Sequence, residues 1–157
     1  MKGLKSLIAK HYTKEEFAWI MQDWANSVYS LMITTAIFPL YFKTVSSNAG
    51  LSAADSTAFL GYANSIATFA VSIMAPVLGA LADYKGYRNP MFTWSTLLGV
   101  FSVIGMMFAE TDQWILLLAL YTLSAIGYSA SNIFYDSSIM DVTTYDRMDR
   151  ISAAGYG

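Results

Sequence analysis

The 157-residue chain has no cysteine, one histidine (His11) and three prolines, and only 13% of its residues are charged. Without cysteine, a disulfide framework, a thiolate metal site and a thiol nucleophile are excluded. His11 stands alone beside lysines, so there is no cluster of metal ligands and no nucleophile with a partner, and an enzyme reading lacks its parts. No cofactor is expected. The net charge of -2 supplies no polybasic surface, which leaves nucleic acid without a docking face. What the chain has instead is apolar surface: 55% hydrophobic residues and a mean hydropathy of +0.43, against the roughly 25% charged residues usual in soluble domains. The expected class is an all-α, polytopic membrane protein whose first partner is the lipid bilayer. Lys2, Lys5, Lys10, Lys14, Glu15 and Glu16 interrupt the early apolar region that a cleavable signal peptide needs, so the first helix is expected to be retained.

Residues 1–16 read as an N-terminal segment outside the membrane. Leu4, Leu7, Ile8 and Tyr12 among lysines fit a short helix on the headgroup surface or, equally, a frayed tail. Thr13-Lys-Glu-Glu16 matches a capping box, with Tyr12 and Phe17 at the staple positions, and predicts a helix start. Apolar runs then place membrane helices at 17–42, 58–82, 91–109 and 114–140. A polar loop is expected over 43–57, a very short turn at 110–113 and a charged loop over 141–150. From Ile151 the chain reads as the first turns of a fifth helix cut off in mid-element, as in a piece of a longer chain. Eight of the nine lysines and arginines fall on one side of this layout and only Lys43 on the other, so the positive-inside rule predicts a cytoplasmic N-terminus, a cytoplasmic 83–90 turn and a cytoplasmic 141–150 loop.

The turn after the second helix, Gly79-Ala-Leu-Ala-Asp83-Tyr-Lys85-Gly86-Tyr-Arg88, resembles the signature between the second and third helices of the major facilitator superfamily. Tyr84 and Tyr87 stand at places usually basic, and Lys85 is displaced by one. Asp83 at a helix C-terminus opposes the macrodipole, so it is expected to draw a cation from Lys85, Arg88, Arg147 or Arg150. The superfamily uses this loop as a latch between transporter halves; Gly79, Asp83, Lys85, Gly86, Arg88, Arg147 and Arg150 are therefore the candidate cytoplasmic gate. The plainer reading is a solvated turn. Asp23-Trp-Ala-Asn-Ser-Val-Tyr29, Phe38-Pro-Leu-Tyr-Phe42, Ala63-Asn-Ser65, Ala75-Pro-Val-Leu-Gly-Ala-Leu-Ala-Asp83, Phe134-Tyr135 and Asp149-Arg-Ile-Ser152 together resemble the vacuolar amino-acid effluxer family and its bacterial relatives, a branch of that superfamily. The resemblance implies a transporter of about twelve helices in two halves, of which this chain would supply four and the start of a fifth in a bacterial cytoplasmic membrane. The remaining helices would be its obligatory partners. Asp136 departs from the family, which often has an uncharged amide there.

Counting 1.5 Å per residue from Trp114 places Tyr121 at ~10 Å, Tyr128 at ~21 Å and Asp136 at ~33 Å depth; the same count from Phe42 places Asp23 at ~28 Å. Both carboxylates then sit near the cytoplasmic interface, where with Asn26 and Asn132 they would form a polar cluster at the inner mouth of a pathway; ordinary solvation of helix ends is the alternative. Tyr121, Tyr128 and Tyr135 at heptad spacing share one stripe with Ser124 and Asn132, which is expected to face a solute or neighbouring helices. Ser30 and Thr34, and Asn64 and Thr68, follow i, i+4 spacing on the first two helices. The third helix, 91–109, lacks Asn, Asp and Tyr altogether, which suits a lipid-facing position. With no lysine or arginine deep in a helix, the expected cargo is a small polar or zwitterionic solute, with proton coupling through Asp23 or Asp136 as a hypothesis. The competing reading is a tetraspan scaffold in which the polar stripe only joins helices.

Overall fold

The computed structural model describes residues 12–156; the surface-helix or tail expectation for the first residues, and His11, lie outside them. Among the described residues every regular element is helical. The first helix is a continuous run of 35 residues, Lys14–Asn48, made of α1 (Lys14–Val28), a π-helical stretch (Tyr29–Ile37) and α2 (Phe38–Asn48). It is followed by α3 (Ala53–Ala82), α4 (Lys85–Met106), α5 (Trp114–Ser137), a single turn α6 (Ile139–Val142) and α7 (Met148–Tyr156). The first helix, α3 and α5 are long and apolar enough to cross a membrane; α4, whose opening turns hold Arg88, Asn89 and Pro90, is not among them.

The capping box forms as its sequence dictates. The Thr13 amide donates to Glu16 Oε2 at 2.8 Å and the Glu16 amide to Thr13 Oγ1 at 3.2 Å. The helix it opens runs six residues past the expected end at 42, and α3 starts at Ala53 rather than 58, so the polar 43–57 loop shrinks to four residues. Helix continues because its polar residues have helical partners. Ser46 Oγ meets Ser56 Oγ at 2.6 Å, Ser52 caps α3, and Gly50 turns the chain at φ +86°. Similarly α4 starts at Lys85, ahead of Pro90, since proline near a helix start removes few backbone bonds.

The π-helical stretch ends where Pro39 lacks an N–H and its ring crowds the carbonyl four residues back. Widening the helix relieves that crowding. The Phe38 amide accordingly donates to Ile33 O, and Thr35 Oγ1 to Ser30 O at 3.1 Å, both five residues back. This widening tunes the contact with α5. Three tyrosines of α5 stack on three aromatic rings of the first helix: Tyr135 on Trp19 at 4.6 Å, Tyr128 on Tyr29 at 4.5 Å and Tyr121 on Phe38 at 3.9 Å between centroids. The step from Tyr121 to Tyr128 rises about 10.5 Å. The nine residues from Tyr29 to Phe38 cover that same interval, about 1.2 Å each, which only a helix bonded i→i+5 provides. Nine α-helical residues would make about two and a half turns and point Phe38 away from α5.

Two apolar clusters bracket this ladder. At the end where α1 begins, Trp19, Ile20, Tyr135 and Ile151 pack together. At the far end, Phe38, Phe42, Val45, Ala63, Met106, Leu117 and Tyr121 do so. Between α4 and α5 the backbones nearly touch: a Cβ added to Gly127 would lie 2.7 Å from Gly99 N and 2.8 Å from Ser95 O. Small residues at such a crossing let dispersion hold two helices together in lipid. One face of α4 is therefore packed on α5, so the helix is not free of protein contacts all round as a purely lipid-facing one would be; Trp94 and Phe101 are exposed on it.

Candidate functional site

A cavity of about 420 Å³ opens between the first helix and α5. It is lined by Asp23, Asn26, Ser27, Ser30, Leu31 and Thr35 on one side and Tyr128, Asn132, Tyr135 and Asp136 on the other. Asn26 Nδ2 donates to Asn132 Oδ1 at 2.6 Å, joining the two walls, and Tyr128 Oη donates to Asn26 O at 3.4 Å. Tyr135 Oη donates to Trp19 O at 2.9 Å while Trp19 Nε1 donates to Tyr135 O at 3.4 Å, so one end of the cavity is closed by a reciprocal pair. No lysine, arginine or histidine lines it. Asn26 and Tyr128 also border a second cavity of about 400 Å³ toward α4, largely apolar, where Thr96 Oγ1 is buried without a hydrogen-bond partner among the described residues.

Six of the eleven expected pathway residues thus meet in one place: Asp23, Asn26, Ser30, Tyr128, Asn132 and Asp136. Thr34 does not join them. In the π-helical stretch the residue below Ser30 is five along, not four, and Thr35 takes the place. Tyr121 is fully buried in the far cluster, with its hydroxyl on Asn64 Oδ1 at 2.9 Å, and Ser124 is buried with its hydroxyl 2.5 Å from Tyr29 Oη. Those two join helices and do not line the cavity. Thr68 is exposed on α3. Replacing Tyr121 by Phe and Asn64 by Ala, singly and together, in the full-length protein should give a coupling energy of about 0.6–1.7 kcal/mol in reversible unfolding, the range of interhelical hydrogen bonds in membranes; additive losses would show that the bond contributes nothing. Residues that sequence reasoning passed over are Ser27 and Leu31, and Trp19, Tyr29 and Tyr135 as stacking partners. Their only signal was an aromatic facing each tyrosine of the heptad.

At the end where α1 begins, the arginines expected at the gate are all engaged, but not with Asp83. Arg88 pairs with Asp141 and donates to Ser137 O at 3.1 Å. Arg147 pairs with Glu16 at 2.9 Å, and Arg150 lies over the Tyr12 ring at 5.5 Å. Asp83 caps α3 in an exposed position, where water screens its opposition to the helix dipole and no cation is required. The Lys85 side chain lies outside the described residues. Nothing stands within 4 Å of a Cβ built on Gly79 or Gly86, so neither glycine is demanded by crowding among the described residues. The carboxylate that organises this end is Glu16, buried, which also accepts from Thr143 Oγ1 at 2.7 Å.

Long apolar helices stacked around a polar cavity define a multi-pass integral membrane protein. Among the described residues no group of His, Asp and Glu is placed to hold a metal. The chain belongs to the family described as "Vacuole effluxer Atg22 like", whose model matches residues 52–148. It is also 46% identical over 148 residues to a Bacillus subtilis (strain 168) protein described as "Uncharacterized MFS-type transporter YxiO". That match covers 94% of this chain and 35% of the relative, so the chain spans about a third of the length of the curated relative it matches. Both descriptions concern transport and neither names an enzyme. No solved structure matches the chain.

Proposed function

We propose that these helices are part of a secondary transporter of the major facilitator type that moves a small polar solute, amino acids foremost, by alternating access. The single observation that carries this reading is the cavity between the first helix and α5, with amides, hydroxyls and two carboxylates on its walls and no basic side chain. A polar recess between membrane helices is costly unless it holds water or a solute. In this reading α4 crosses with the three longer helices, α7 begins a fifth crossing, and the N-terminus, the 83–84 turn and the 138–147 segment face the cytoplasm, as the bias of basic residues favours. Asp23 and Asp136 are the groups through which a proton gradient would act.

The test is flux in proteoliposomes of the full-length transporter. Tyr128→Phe and Asn132→Ala should each cut counterflow by about tenfold, the loss of ~1.4 kcal/mol expected when a hydrogen bond in the pathway goes, with expression unchanged. Unchanged flux in both would end the pathway assignment. If both variants failed to assemble and never gave a folded protein with reduced flux, the Asn26–Asn132 bridge would be helix-joining glue and the scaffold reading would stand.

A further inference from the structure

We infer that Asp23 is the counter-ion for a protonated amine, so that the cavity between the first helix and α5 takes ammonium-bearing solutes. The inference rests on the cavity being the solute site proposed above, and it names the chemistry that the site selects.

Asp23 is 8% exposed, and what remains exposed of it opens into this cavity. Among the described residues no hydrogen bond or ion pair reaches its carboxylate. A buried carboxylate is normally paired or multiply hydrogen-bonded, because desolvation without compensation is expensive. The other buried acid of the chain obeys that rule, since Glu16 holds Thr13, Thr143 and Arg147. Asp23 is the exception, and its packing explains how it is kept so. From behind, the last turn of α7 closes on it through Gly155, where an added Cβ would lie 3.6 Å from Asp23 Cβ and 2.9 Å from Trp19 Cζ3. The side chain is thus shielded on the protein side and free only toward the cavity. Its missing partner must come from there.

The other walls say which cation fits. The Ser27 and Ser30 hydroxyls, one and two turns along the same helix, supply further acceptors for N–H groups. A volume of about 420 Å³ is far larger than a bare inorganic cation needs and suits a small organic molecule. The Tyr128 and Tyr135 rings and Leu31 offer apolar surface for its carbon skeleton. Asn132 accepts from Asn26 through its oxygen, so its own N–H groups remain for a solute carboxylate or hydroxyl. Asp136 adds a second negative group on the α5 wall, and the absence of any basic lining residue removes competition for Asp23.

The experiment uses the purified full-length transporter in lipid nanodiscs and reads the shift in melting temperature with matched probes. These are alanine against lactate, leucine against its 2-hydroxy analogue, lysine, ethanolamine, and sodium and potassium chloride alone. At least one amine-bearing probe should raise the melting temperature while its hydroxy twin does not. Asp23→Asn should weaken that probe at least tenfold, and Asp23→Glu should recover part of the effect. Without probe, Asp23→Asn should melt at the same temperature or higher, since it replaces an unpaired buried charge. The inference is overturned if twins bind equally, if Asp23→Asn keeps the amine preference, if only the inorganic cations bind, or if no probe binds. It is likewise overturned if Asp23→Asn lowers the melting temperature of the probe-free protein, which would make the carboxylate a structural partner. Flux of the same probes is measured separately. Amine binding without flux would end the transporter reading and leave the assignment of Asp23 intact, whereas equal flux of amine and hydroxy twins would do the reverse.

Discussion

Gly127→Ala in the full-length protein is expected to lower its stability by about 1–3 kcal/mol, and Gly127→Leu to prevent α4 from docking on α5. The added Cβ would meet backbone atoms, Gly99 N at 2.7 Å and Ser95 O at 2.8 Å, and backbone cannot swing aside as a side chain can. Alanine gains roughly 1 kcal/mol of helix propensity over glycine, so the overpacking must exceed that for the net effect to be a loss. Gly99→Ala provides the internal comparison. Its Cβ would find its nearest neighbours at 3.7 Å, an ordinary contact, so the propensity gain should prevail and the variant should be neutral or more stable. Thermal or detergent-induced unfolding of the two alanine variants side by side decides the matter. Equal stabilities would mean that the helices do not cross this closely.

Glu16→Ala should cost about 2–4 kcal/mol and loosen the segment 143–150. The carboxylate is 1% exposed and holds three groups: the Thr13 amide, the Thr143 hydroxyl and the Arg147 guanidinium. Breaking a fully buried pair costs ~3–5 kcal/mol, and the figure here is lower because the Arg147 side chain keeps 34% of its surface in water. Glu16→Gln preserves the capping box, which accepts glutamine, but loses the charge; it should retain roughly half the lost stability. Hydrogen exchange over 143–150 provides the readout. Protection unchanged in Glu16→Ala would show that α7 is held without this pair.

The sequence made some of this visible and hid the rest for physical reasons. Thr13 and Glu16 could be read as a capping box because the motif is local, its two partners three positions apart. Glu16's other partners, Thr143 and Arg147, lie 127 and 131 residues further along, and no local pattern points to them. The stripe of Tyr121, Tyr128 and Tyr135 was legible as a stripe, but its division into Tyr121 sealed in an apolar cluster, Tyr128 at a polar cavity and Tyr135 shared between cavity and cluster depends on what the first helix presents. Residues 43–48 and 53–57 looked like loop because most of their side chains are polar, whereas polar side chains with helical partners leave the backbone bonds of a helix intact. The choice of Thr35 over Thr34 turned on a change of helical period, for which the one sequence signal was Pro39.

That change of period also concerns chain length. Seven α-helical residues rise about 10.5 Å and return to nearly the same face, which is what the nine residues from Tyr29 to Phe38 accomplish in their wider coil. The helix therefore stores two surplus residues without displacing a rung. A version shortened by two residues between 30 and 37 could run as plain α-helix with all three stacks in phase. A version shortened by one would turn Phe38 about 100° out of line and break the uppermost stack. At this point of the helix, deletions are tolerated in pairs.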